Sequence, residues 1–153
     1  MSAEAQVAEA TNARGMSDPV AAEAEIDVLA VCLLAPAALT TVLESGVGVE
    51  HFARQSNRLV FAAMTKLRDD DRHVTPVSVN DVLDGEALLD EAGGRGYVHL
   101  LASTAALVAW TGEYVDILLR RHRERILKMV GEQLANGAGE EALAQLGGDG
   151  RGA

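Results

Sequence analysis

Two dipeptides, Asp18-Pro19 and Ala35-Pro36, constrain the fold of this chain more than any other feature. Aspartate is a strong N-cap, and proline suits the first helical position because its missing N–H has no intrahelical partner to lose. Asp18-Pro19 therefore opens a helix that runs apolar to Leu34, where Ala35-Pro36 ends it and starts the next. Within that first helix AVCLL is apolar on every face, which marks it as central. Leu59, Val60, Ala63, Met64 and Leu67 recur at helical spacing and predict a third helix over about 56–69. HVTPV, around Pro76, reads as the one extended piece, and Ser78-x-x-Asp81 resembles a capping box for a short helix that Gly85 stops. A helix is expected over 96–109, and the longest over about 112–136, capped by Thr111 and closed by Gly137. Strand signals are nearly absent, so the expected class is all-α: a small helical bundle followed by a long helical hairpin.

Outside this helical region the composition changes. Residues 1–17 are rich in Ala and Glu with little bulk, and residues 137–153 hold six glycines, so both read as flexible tails around one domain at 18–136. A chain of 153 residues buries roughly 70% of its unfolded surface and needs neither metal nor disulfide to hold a core. The single cysteine, Cys32, lies in VLAVCLL and reads as a small buried hydrophobe. No stretch approaches the roughly 18 apolar residues of a membrane span. MSAEAQVAEA carries acids where a signal peptide carries bases, so the expected location is the cytoplasm.

Charge and motif content narrow the function classes. With 23 acidic against 13 basic side chains the formal net charge is −10, which disfavours direct DNA binding because that affinity rests on cations displacing counterions. The run GGRG at 93–96 does not complete a nucleotide fingerprint: G-x-x-x-x-G-K-[ST] is absent, and His99 stands where G-x-G-x-x-G needs its last glycine. EALLDEA before it looks like a helical turn, so the glycines read as a break between helices rather than a phosphate cradle. Histidines at 51, 73, 99 and 122 have no Cys or second His at ligand spacing, so no metal site is expected. The acidic clusters DDD at 69–71 and EE at 140–141 fall in a helix end and a tail, and no Ser or Cys sits in a nucleophile elbow. No catalytic residue, cofactor or enzyme activity is expected.

The last helix carries the most informative stripe. Val115, Leu119, His122, Ile126, Met129 and Gln133 recur at alternating four and three spacing, the pattern of a coiled-coil seam, and Leu118 and Val130 widen it. Such a stripe packs either inside its own domain or against another subunit. Beside it, RRHRER puts Arg120, Arg121, Arg123 and Arg125 into a short run, a possible basic patch or the solvated flank of the stripe. Trp110, at the expected hairpin tip, is either a contact anchor or a residue folded back on its own hairpin.

Five segments in order resemble the N-terminal domain of DnaB-type replicative helicases. DPVAAEAEIDVLAVCLL (18–34) is similar to the family's opening of proline, Glu-Ala-Glu, Val-Leu and leucines. EHFARQSNRLVFAAM (50–64) resembles its Asp-Phe-Tyr block and following helix, HVTPVSVNDVL its extended link, LLDEAGGRGYVHLL its Gly-Gly-x-x-Tyr-Leu block, and EYVDILLRRHRERIL its Tyr-x-x-x-Val-x-x-x-x-x-x-Arg helix. The likeness covers about 18–130. The sequence departs from the pattern at Ala30 for Gly, Ala53 for Tyr, Asn57 for His, and Trp110-Thr111 for an Asn-containing turn.

The resemblance implies a non-catalytic assembly module whose double glycine is a structural turn; the family's ATP site belongs to a separate motor domain. Related domains pair through their hairpins into a collar above the helicase ring and receive primase or loader proteins. It implies a homodimer or higher homo-oligomer formed through about 96–130, with Val115, Leu118, Leu119, His122, Ile126, Met129 and Trp110 as contact residues, and a replicative helicase, primase or helicase loader as partner. Three readings follow: a stand-alone replication accessory protein, the N-terminal piece of a split or truncated helicase, or an unrelated helical DNA-binding or regulatory module that uses RRHRER.

Overall fold

A computed structural model describes residues 18–138, which fall into two units divided between Leu119 and Arg120. The expected tails therefore lie almost wholly outside the described residues. The elements are α1 (Pro19–Leu34), α2 (Pro36–Glu44), α3 (Gln55–Asp69), α4 (Pro76–Gly85), α5 (Arg95–Ala102) and α6 (Thr111–Gln133), with 3₁₀ turns at Val49–His51 and Val108–Trp110. No strand occurs among the described residues. No described helix is long and apolar enough to cross a membrane.

The predicted punctuation places the first two helices. Asp18 Oδ1 accepts from the N–H groups of Val20 and Ala21 at 3.1 and 3.2 Å, and Pro19 and Pro36 each stand at the start of a helix. Val28, Leu29, Ala30 and Val31 are fully buried, so α1 is the central helix, packed on α2, α3 and α5. Ala30 has no exposed surface and lies in a small buried cluster with Val31, Ala38 and Ala106. Around α1 gather Leu39, Val42, Phe52, Phe61, Met64, Leu67, Leu83 and Leu101, with Val115 and Leu118 from the start of α6. Phe52 and Phe61 meet with ring centroids 5.0 Å apart.

Three boundaries differ from the sequence expectation. The α4 capping box is Thr75-x-x-Ser78 rather than Ser78-x-x-Asp81: Thr75 Oγ1 accepts from Ser78 N–H, Ser78 Oγ accepts from Thr75 N–H, and the helix begins at Pro76. The helix expected over 96–109 ends at Ala102, because Ser103 and Thr104 turn their hydroxyls onto the Leu100 carbonyl and compete with the helical ladder. Thr111 is the first residue of α6 and donates its hydroxyl to the Val108 carbonyl at 2.6 Å instead of accepting as a cap. In the second unit α6 ends at Gln133, a wider turn follows over Leu134–Ala138, and Gly137 at φ 80° closes it.

GGRG is a turn that starts a helix. Gly93 and Gly94 have φ of 103° and 86°, their N–H groups bond back to Asp90 and Leu89, and α5 begins at Arg95. A Cβ at Gly93 would lie 2.8 Å from the Tyr97 ring, so the loop needs glycine both for its backbone and for that approach.

The Tyr97 hydroxyl leads into a buried polar chain. It donates to Asn57 Oδ1; Asn57 Nδ2 donates to Glu25 Oε1 at 2.8 Å, and Ala53 N–H donates to Glu25 Oε2 at 2.9 Å. Glu25 and Asn57 have no exposed surface. Buried polar groups of this kind are tolerated only when partnered, and these partners tie α1, α3, α5 and the 49–53 turn in one register. Three of the five segments that carry the family resemblance thus converge on one network. Asn57, where the family has histidine, supplies one donor and one acceptor, which a neutral imidazole also offers.

Candidate protein-interaction surface

Tyr114, one turn into α6, accepts from Leu107 N–H through its hydroxyl at 3.1 Å. Together with the Thr111–Val108 bond this pins the 3₁₀ turn between α5 and α6, which presents Trp110 with 54% of its surface exposed. Leu107 and Val108 are exposed beside it in sequence. A large aromatic held on a fixed turn loses little entropy when it is covered, which suits a contact anchor.

The stripe predicted on the last helix divides between the two units. Val115 and Leu118 are buried in the core of the first unit, and Leu119 packs partly buried against it. In the second unit Ile126 and Met129 are exposed, with Leu127 and Leu134 beside them, while His122 and Val130 are half-buried. A helix segment that displays four large apolar residues presents more apolar surface than scattered single residues.

The basic run is partly engaged locally. Arg121 Nη1 lies 3.8 Å from Glu124 Oε2, and Arg125 Nη2 lies 3.1 Å from His122 Nδ1. Arg120 and Arg123 are exposed. These contacts make the run a mixed-charge flank rather than a uniform cationic face.

A feature that sequence reasoning missed lies in the first unit. Val20, Glu23, Ala24 and Asp27 of α1 face Trp110, Glu113, Tyr114 and Ile117 across a shallow cleft of about 260 Å³. Its signal in the sequence is the Glu23/Asp27 spacing of one helical turn and Glu113 three residues after Trp110, but nothing local says that the two segments meet. A second groove of about 310 Å³ is lined by Val77, Asn80, Asp81, Asp84, Leu89, Arg95 and His99. Among the described residues no group of three His, Cys, Asp or Glu side chains is placed to hold a metal ion.

Comparison with known proteins places this architecture. The family model for the DnaB-like helicase N terminal domain matches residues 17–120. The replicative DNA helicase DnaB of Rickettsia prowazekii (strain Madrid E) is 27% identical over 95 residues, which make up 62% of this chain and 20% of that helicase. The chain thus spans about a fifth of the length of that curated relative. The crystal structure of the N-terminal domain of DnaB helicase from Mycobacterium tuberculosis matches with a TM-score of 0.70 at 30% identity, covering 78% of this chain and 85% of that one. The family match ends at Arg120, so His122, Ile126 and Met129 lie beyond it.

Proposed function

This chain belongs to the DnaB-like helicase N terminal domain family, and on that premise we propose that it is a non-catalytic interaction module of DNA replication. It works in the cytoplasm, over a module at 18–136, by pairing with a second copy through about 96–130 and contacting a replicative helicase, primase or helicase loader. The observation that carries this reading is the exposed apolar face of the second unit. Ile126 and Met129 are 39% and 49% exposed, with Leu127 and Leu134 at 71% and 44%. An isolated stretch of helix is marginal in water without tertiary cover for an amphipathic face, so a partner that covers these residues also stabilises the helix.

Light scattering on a size-exclusion column tests the pairing. The parent should elute as a dimer at tens of micromolar, and the double variant Ile126→Glu/Met129→Glu as a monomer with unchanged core stability. A parent that stays monomeric at that concentration refutes the pairing. Co-elution with the replicative helicase or primase of the same source tests the partner half. A second reading, the N-terminal piece of a split or truncated helicase, is favoured by the 27% identity with the curated helicase over 95 residues. Addition of a separate motor polypeptide should then reconstitute ATP-dependent unwinding that depends on this chain.

A further inference from the structure

The geometry points to the cleft between α1 and the start of α6 as a docking site for a cationic, aliphatic segment of a partner protein, seated with an Arg or Lys side chain against Trp110. Of the pairing reading it keeps only that Trp110 belongs to a contact surface; the two can fail separately.

Among the described residues three carboxylates, Glu23, Asp27 and Glu113, line the cleft and no cation does; Asp27 already has a partner of its own, which leaves Glu23 and Glu113. Glu23 and Glu113 are exposed and form no ion pair among the described residues. Between them stand aromatic and aliphatic side chains: Trp110, Tyr114, Ile117 and Val20, the last 42% exposed. A guanidinium or ammonium group here would meet carboxylates at its edge and the indole face beneath, while its methylene stem covers the apolar wall. At about 260 Å³ the cleft falls below the roughly 300–1,000 Å³ of small-molecule pockets and suits one or two side chains of a docked segment. The walls are fixed in advance, since Tyr114 is bonded to Leu107 and Thr111 to Val108. Overall charge decides the kind of occupant. The cleft is lined by carboxylates on a chain of net charge −10, and a basic segment is drawn in by that field.

Trp110 is the only tryptophan, so its emission reports the cleft directly. The full chain is titrated with a short fluorescein-labelled peptide of alternating arginine and leucine, and with a glutamate and leucine counterpart, following Trp110 emission and peptide anisotropy. The basic peptide should change both signals saturably and lose affinity as salt rises, and the acidic one should change neither. Glu23→Gln/Glu113→Gln should weaken binding by about tenfold or more, the loss expected when close charge pairs are removed. Asp69→Asn/Asp70→Asn, which removes the same charge from exposed residues outside the cleft, should leave it within about twofold. Equal weakening by both pairs, or no response of Trp110, overturns the proposal. Trp110 emission that changes with protein concentration alone, and that Glu113→Gln abolishes, would show a second copy as occupant and also overturn it.

Discussion

Glu25→Gln is the sharpest single test of how the bundle is held together. The substitution keeps the shape of the side chain and replaces one of two acceptors by a donor. In the parent both carboxylate oxygens are approached by N–H groups, from Ala53 at 2.9 Å and Asn57 at 2.8 Å. A glutamine satisfies Ala53 with its oxygen and then points N–H at Asn57. Asn57 can turn its amide over, but its N–H then faces the Tyr97 oxygen and the hydroxyl proton of Tyr97 loses the acceptor it now uses. Whichever way the amide turns, one hydrogen in a nearly water-free site is left without its partner, which costs about 1–3 kcal/mol. For a domain of this size about 4 °C in Tm accompanies each kcal/mol, so the thermal midpoint followed by circular dichroism should fall by about 4–12 °C. Glu25→Ala removes both acceptors and leaves a cavity, and should cost more, about 3–6 kcal/mol. Tyr97→Phe should cost about 1–3 kcal/mol in the parent and less in the Glu25→Gln background, where the hydroxyl has already lost its bond to Asn57 Oδ1. A Glu25→Gln protein that melts with the parent would show that the two acceptors of residue 25 do not hold the bundle together, and the reasoning would fail.

Other outcomes follow from the same packing. Gly93→Ala places a methyl group at 2.8 Å from the Tyr97 ring on a backbone with φ of 103°, so it should cost about 1–3 kcal/mol, measured by urea unfolding, and disturb the Tyr97–Asn57 bond. Burial pushes the Cys32 thiol from 9.0 up to about 12, so the fold holds the neutral form. That contribution is complete below pH 9 and is lost as pH rises toward about 12; Cys32→Ala should be less sensitive over this alkaline range, and the native thiol should react with a disulfide reagent near neutral pH only after denaturation. Duplex DNA should show no measurable affinity at about 0.15 M salt, given a net charge of −10; binding at low salt that Arg120→Glu/Arg123→Glu abolishes would revive a nucleic-acid role.

Much of the first unit was legible because its signals are local. Asp18-Pro19 and Ala35-Pro36 mark helix ends through backbone chemistry that no distant contact overrides, and GGRG could be assigned to a turn from the left-handed φ that glycine permits. The short α5 was not legible. YVHLLASTAALVAW is apolar enough to continue as a helix, and the two hydroxyls that end it act through bonds to one carbonyl. Nor was the role of Glu25 visible, because its partners lie 28 and 32 residues away and a Glu in an alanine-rich helix ordinarily faces water.

The stripe on α6 shows where periodicity stops deciding. Val115, Leu118 and Leu119 repeat at the same spacing as Ile126 and Met129, so the pattern alone cannot say which of them meet the chain's own core. Burial separates them: the first two have 2% of their surface exposed, whereas Ile126 and Met129 have 39% and 49%. Substitution of the former should therefore destabilise the domain, and substitution of the latter should change only what it binds. Val115→Ala is expected to cost about 1–3 kcal/mol of stability through lost burial and a small cavity, whether or not the protein is paired. Met129→Ala should leave the urea midpoint of a dilute sample within about 0.5 kcal/mol of the parent and lower the concentration-dependent part of stability, which mass action assigns to pairing. If Met129→Ala destabilised the dilute monomer as much as Val115→Ala does, the whole stripe would belong to a single core, and pairing would need another surface.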